Sequence, residues 1–182
     1  MTAEKGRHLH GVQFYEHKDS LYRRVAAFLG EGLVIGEPGI VIATATHQAG
    51  IVAELSGRLI NVEQARRLGE LVMLDAADTL GAVMVGDRPD GDLFHNYMGS
   101  ILEQVGKGRK RTIIRAYGEM VDVLWQTGRS DAAITLEILW NTLASKYSFS
   151  LLCGYSMGQF YKQPDFYRQV CDQHTDVFEA IG

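Results

Sequence analysis

The chain has 182 residues, with 18 Lys+Arg against 22 Asp+Glu and a formal net charge of −4. Its 46% hydrophobic and 22% charged residues exclude a disordered composition and suit one domain with a continuous core. No apolar run approaches the roughly 18 residues of a membrane span, and the N-terminus lacks an apolar signal core, so a cytoplasmic protein without a membrane partner is expected.

His10–Tyr15 predicts a first strand, with Asp19 as the cap of a helix over Ser20–Leu33, whose apolar residues recur at steps of three and four. After the Gly36-Glu37-Pro38-Gly39 turn, Ile40–Ala43 reads as a buried parallel strand and Thr46 as the cap of a helix to about Ile60. Leu71–Leu74 is a strand, Asp75–Val85 a short helix, and Pro89-Asp90-Gly91 a turn before a helix over Asp92–Val105. Thr112–Ala116 is the fourth strand and Tyr117–Thr127 a helix. Ser130 or Asp131 caps a longer helix to Tyr147, Phe149–Tyr155 is the fifth strand, and Asp165–His174 a last helix. Alternating strands and helices predict an α/β fold with a mainly parallel sheet covered on both faces.

In an open parallel sheet, ligands bind beyond the carboxyl ends of the strands. Those ends carry Tyr15, Glu16 and His17; Thr44, Thr46 and His47; Asp75; Tyr117, Gly118 and Glu119, with Arg115 just inside its strand; and Tyr155 and Ser156. The second strand enters its helix through Ala43-Thr44-Ala45-Thr46-His47-Gln48-Ala49-Gly50, with one glycine and no lysine. Ordinary phosphate-loop hydrolysis, which needs G-x-x-x-x-G-K-[ST], is therefore not expected.

Gly154-Tyr155-Ser156-Met157-Gly158 fits G-x-S-x-G formally, with Asp165 or Asp172 and His174 to complete a triad. Little chain follows it, and Ser156 reads more simply as a turn residue. His8 and His10 alternate on the first strand, and Cys171 and His174 form C-x-x-H; these four could hold zinc only if the termini meet. A frayed N-terminus and a half-buried helix are the simpler reading, so no metal and no cofactor are expected. Two distant cysteines do not make a disulfide framework. The mild acidity gives no reason for direct nucleic-acid binding, Lys107-Gly108-Arg109-Lys110-Arg111 being the one strongly basic run. Trp125 and Trp140 read as packing residues. Glu137 lies among apolar residues and needs a partner, for which Arg115 is a candidate, with Glu119 competing.

Arg115-Ala-Tyr-Gly-Glu-Met-Val121 with Leu124-Trp125, Leu136-Glu137-Ile-Leu-Trp-Asn141 and Leu151-Leu-Cys-Gly-Tyr155 resemble the MEDS family, the methanogen/methylotroph, DcmR-type sensory domain. His10–Tyr15, Ile40–Thr44 with His47, Leu74–Leu80 and Cys171–His174 extend the likeness over residues 8 to 178. The resemblance implies a three-layer RecA/KaiC-like core with a degenerate phosphate loop, as a single domain over 8–178 between short tails at 1–7 and 179–182. It implies a sensory role toward small molecules such as hydrocarbon derivatives, in domains found alone or joined to histidine kinases and transcription regulators. These 182 residues show no kinase, receiver or DNA-binding segment, so a kinase or regulator acting in trans is the expected partner.

The motif residues carried over are His10, Phe14, Tyr15, His47, Asp75, Arg115, Tyr117, Glu119, Trp125, Glu137, Trp140, Asn141 and Tyr155. The expectation is a non-enzymatic sensor that binds a small molecule of unknown identity at the carboxyl edge. Its ligand set is His10, Tyr15, Thr44, His47, Asp75, Arg115, Tyr117, Glu119 and Tyr155, with Arg115 and Glu119 as a polar pair. Trp125, Glu137, Trp140 and Asn141 are structural or partner-facing, Gly86–Gly91 is the loop that responds, and a homodimer is a candidate assembly. A nucleotide- or phospholigand-binding protein or enzyme without a standard phosphate loop is the alternative.

Overall fold

Apolar runs short enough for strands recur along the chain, and in the computed structural model, which describes residues 9–109, 112–158 and 160–180, they build one parallel sheet. Its strands are β1 (His10–Tyr15), β2 (Gly39–Ala43), β3 (Leu71–Asp75), β6 (Ile114–Gly118), β7 (Phe149–Ser156) and β8 (Asp176–Phe178), in the order β3-β2-β6-β7-β1-β8. The remaining two, β4 (Met84–Val85) and β5 (Arg88–Pro89), form a separate antiparallel hairpin. Helices α1 (Lys18–Val34), α2 (Ala45–Gly57) and α3 (Val62–Arg67) cover one face of the sheet. The opposite face carries α4 (Ala76–Val83), α5 (Gly91–Gly106), α6 (Met120–Gln126), α7 (Ser130–Ala144) and α8 (Pro164–Asp172). This is the three-layer α/β architecture expected.

Side-chain alternation decides what each strand offers to each layer. In β1, Val12 and Phe14 enter the core beneath α4–α8, while Tyr15 enters the core beneath α1–α3. In β7, Leu151, Cys153 and Tyr155 go to the first of these cores and Leu152 to the second. Burial on both faces is why the strands read as continuous apolar runs rather than alternating ones.

Three differences from the expected elements matter for the site. Strand β6 begins at Ile114 and runs to Gly118, because Gly118 pairs with both Ile42 and Cys153; the fourth strand is thus displaced by two residues toward the C-terminus. Helix α2 starts at Ala45 with Thr44 as its cap, so one residue separates strand from helix and Thr46 lies inside the first turn. Residues 84–89 are the β4–β5 hairpin rather than helix end and open loop, turning at Gly86 with φ +60°. Pattern reading also missed α3, which is short but capped by the Asn61 side chain, and β8, a three-residue edge strand on β1. Lys110 and Arg111 of the basic run, and His8, lie outside the described residues.

Candidate functional site: a carboxylate-lined cleft

The sheet order puts β6 and β7 between β2 and β1, and the carboxyl ends of these four strands frame a cleft of about 570 Å³. Tyr15 and Ser156 end β1 and β7; Thr44, Thr46 and His47 open α2; Glu119 and Asp122 lie at the start of α6. Each group reaches the cleft because its strand has just ended and its helix has just begun.

Glu119 organises the floor. Its backbone N–H donates to Ile42 O at 3.0 Å, which extends the β2–β6 ladder by one step and fixes where the side chain starts. Oε1 accepts Thr44 N–H at 2.6 Å, while Oε2 accepts His47 Nδ1–H at 2.7 Å and the Tyr117 hydroxyl at 2.9 Å. Bonds to an ionised acceptor are short and strong, and they hold a carboxylate that is only 2% exposed. Burial, then the charge of Glu119, pushes the Tyr117 phenol well above its ordinary value, so it stays a donor.

Asp122 is the second buried carboxylate. Oδ1 accepts the Ser156 N–H and hydroxyl, both at 3.1 Å, and Oδ2 accepts Gln126 Nε2 at 2.7 Å and the Tyr15 hydroxyl at 3.2 Å. Burial raises its pKa and outweighs the opposing hydrogen bonds from Ser156, Gln126 and Tyr15. The Tyr15 phenol is raised by its own burial and by the charges of Asp122 and Glu119.

Of the expected ligand set, Tyr15, Thr44, His47 and Glu119 line this cleft, and Tyr117 supports Glu119 from below. The other four do not. Arg115 is the second residue of β6, opposite Gly39 at the amino end of the sheet, where Nε donates to Glu37 at 2.6 Å and Nη1 to Phe28 O at 2.8 Å. The Arg115–Glu119 pair is therefore not formed, because the displaced strand puts its two members at opposite ends. His10 is the first residue of β1 and also lies at the amino end. Tyr155 faces the other layer, and Asp75 on the outer strand β3 caps α4 through bonds to Ala77 N and Asp78 N.

Asp122, Gln126 and Lys18 line the cleft without having been expected, and Ser156, named among the strand-end residues, belongs to it after all. The spacing Glu119-x-x-Asp122 is the signal that could have found Asp122, since residues three apart share a helix face.

Trp125 and Trp140 are packing residues. Trp125 stacks on Phe166 at 4.3 Å between centroids, and Trp140 meets Phe94 edge-on at 4.9 Å. Glu137 is fully buried, but its partners are His10, His174, Tyr155 and Cys153 rather than Arg115. Burial alone would raise its pKa; His174 and His10 outweigh that and hold the carboxyl below the usual range. With His174 in this cluster and the Ser156 hydroxyl bonded to Asp122, the serine triad is not assembled.

The model of the MEthanogen/methylotroph, DcmR Sensory domain, MEDS, matches residues 9–175. The chain belongs to the MEDS family. The match runs from β1 to the segment before β8 and so includes the four strand ends that frame the cleft. None of the curated proteins matches the chain. A MEDS domain is a sensory domain, and among the described residues no helix is long and apolar enough to cross a membrane.

Proposed function

We propose that this MEDS domain is a non-enzymatic sensor whose cleft, between the ends of β1, β2, β6 and β7, binds a small polar molecule and reports it to a separate histidine kinase or transcription regulator. The observation that carries this reading is the pair of buried carboxylates, Glu119 and Asp122, at the cleft floor. Acceptor-rich walls favour a ligand that presents hydrogen-bond donors or positive charge, such as an alcohol, a diol or an amine. The ordered donors already on both carboxylates give a ligand something to displace, and displacement would move Tyr15, Ser156 and the first turn of α6. A differential contact of this kind is what a two-state signal requires.

The phospholigand alternative meets an obstacle at the same place. The N–H of Thr44, the residue that caps α2, is taken by Glu119 Oε1, which puts a carboxylate beside the helix N-terminus where a phosphate would be cradled. An anion there would lie close to both Glu119 and Asp122.

Amide chemical-shift mapping of the whole chain, titrated with short alcohols, diols and amines and separately with ATP, tests this. Shifts confined to Tyr15, Thr44–His47, Glu119–Gln126 and Ser156 with alcohols or amines are expected. They should vanish in Thr46→Trp, which fills the cleft from an exposed position. ATP shifting those amides while alcohols and amines do not would replace this reading with the phospholigand one.

A further inference from the structure

On the sheet face away from α1–α3, four distant parts of the chain converge on one point. His10 Nε2 comes from the first residue of β1, Cys153 Sγ from β7, Glu137 Oε2 from α7, and His174 Nε2 from the segment between α8 and β8. All four atoms lie within 4.8 Å of one another. Glu137 Oε2 is 3.1 Å from His10 Nε2, 3.4 Å from His174 Nε2 and 3.5 Å from Cys153 Sγ, and Cys153 Sγ is 3.6 Å from His10 Nε2. In a tetrahedral zinc site with bonds of about 2.0–2.3 Å, neighbouring ligand atoms lie about 3.3–3.7 Å apart. These four separations are close to those edges, and the remaining two pairs stay within 4.8 Å.

Outer contacts aim the ligands. Asn141 donates its amide to Gln173 O at 3.0 Å, which turns Oδ1 toward His10 Nδ1 at 2.8 Å. His174 Nδ1 donates to Val170 O at 2.6 Å. Each imidazole thus carries its hydrogen on Nδ1 and presents Nε2 to the centre. Tyr155 donates to Glu137 Oε1 at 3.0 Å and leaves Oε2 directed inward. Among the described residues, buried His174 Nε2 makes no hydrogen bond of good geometry and faces the Glu137 carboxylate at 3.4 Å. Two ring nitrogens and a carboxylate oxygen facing one another need a positive charge between them, which a proton on a ring Nε2 supplies in the metal-free cluster and a metal ion would supply in its place.

We propose that His10, Glu137, Cys153 and His174 bind one Zn2+ in a closed tetrahedral site. Thiolate and carboxylate together cancel the charge of the ion, so a loaded site is neutral, as a buried position demands. Loading forms the sulfur–zinc bond and releases the Cys153 thiol proton to solvent, with any proton shared between the imidazoles and Glu137. Four protein ligands leave no open position, which makes the ion a staple rather than a catalyst: it ties β1, β7 and α7 to the C-terminal segment. The site is separate from the cleft and does not depend on the sensory reading. It is also not the set the sequence suggested, since Cys171 is outside the cluster and Glu137 and Cys153 take part.

The test is zinc content of the whole chain after equilibration with ZnCl2, together with the absorption spectrum of the Co2+-exchanged protein. One Zn2+ per chain is expected, and Co2+ should show intense tetrahedral bands with a thiolate-to-cobalt charge-transfer band. Cys153→Ser should lose the charge-transfer band, Cys171→Ser should keep it, and Asn141→Ala should weaken Zn2+ binding about 10–100-fold by freeing the His10 ring. A folded wild-type chain that takes up no Zn2+ would overturn the proposal and leave a histidine–carboxylate network held by protons. Loss of the band in Cys171→Ser, or a Co2+ complex of the wild type without a thiolate band, would overturn it as well. The wild-type spectrum decides the matter even where Cys153→Ser does not fold.

Discussion

Glu119→Ala removes the acceptor of three donors at once, and the structure sets what each loss costs. The Tyr117 hydroxyl is fully buried, so leaving it unpaired costs about 1–3 kcal/mol. Thr44 N–H lines the open cleft and water can replace the carboxylate there, which limits its share to roughly 1 kcal/mol. His47 is 7% exposed and loses a charged partner, adding about 1 kcal/mol. The sum is about 3–5 kcal/mol, or roughly 6–20 °C in Tm for a chain of this size. Glu119→Gln behaves differently. Its carbonyl can keep Thr44 N–H, and its two amide hydrogens can reach His47 Nδ1 and the Tyr117 oxygen, both of which can accept. All three contacts survive with two of them reversed, at a cost of about 1 kcal/mol for the lost charge. Urea unfolding of both variants measures the difference. An alanine variant that loses less than about 1 kcal/mol, or a glutamine variant as unstable as alanine, would refute the view that Glu119 holds the cleft floor together.

Arg115→Ala should lower stability by about 1–2 kcal/mol, through the lost Glu37 and Phe28 contacts, and leave chemical-shift changes at the cleft unaltered; loss of cleft binding would put Arg115 back in the site. Gly154→Ala places a Cβ 2.5 Å from the Tyr117 hydroxyl, so it should push that hydroxyl off Glu119 and lower Tm, and an unchanged Tm would show that Tyr117 is not held there. Asp122 carries a pKa above its ordinary 3.8, so the folded state holds its proton more tightly than the unfolded state and this group's contribution falls as pH rises from about 4 through the raised value. The stability of Asp122→Asn relative to wild type should therefore climb over that window; a difference that stays flat with pH would contradict the raised pKa.

The layer architecture was legible because each strand is buried on both faces, and its apolar run needs no alternation to be seen. Strand ends were legible only to within two residues, and in a parallel sheet two residues are decisive. The shift of β6 carried Arg115 to the amino end and left Glu119 at the carboxyl end, so two residues close in sequence belong to opposite edges. Segments stabilised by a single cap or one strand partner, such as α3 and β8, leave almost no periodic pattern to read.

Choosing residues by strand end alone also ignores which face a side chain takes. Tyr155 and Ser156 are adjacent at the end of β7, yet Tyr155 bonds Glu137 in the layer of α4–α8 while Ser156 bonds Asp122 at the cleft. The same alternation separates His10, beneath the sheet, from Tyr15, whose hydroxyl reaches Asp122. Parity would have assigned both correctly once a single contact fixed the face of each strand: an odd step along β1 or β7 changes layers. Glu137 shows the complementary difficulty. Its burial could be inferred from its apolar neighbours on α7, but its partners come from β1, β7 and the C-terminal segment, 127, 16 and 37 residues away by their numbers. A lone buried carboxylate in an apolar helix therefore signals a cluster without naming it, and only the strand register tells which histidines and which thiol complete it.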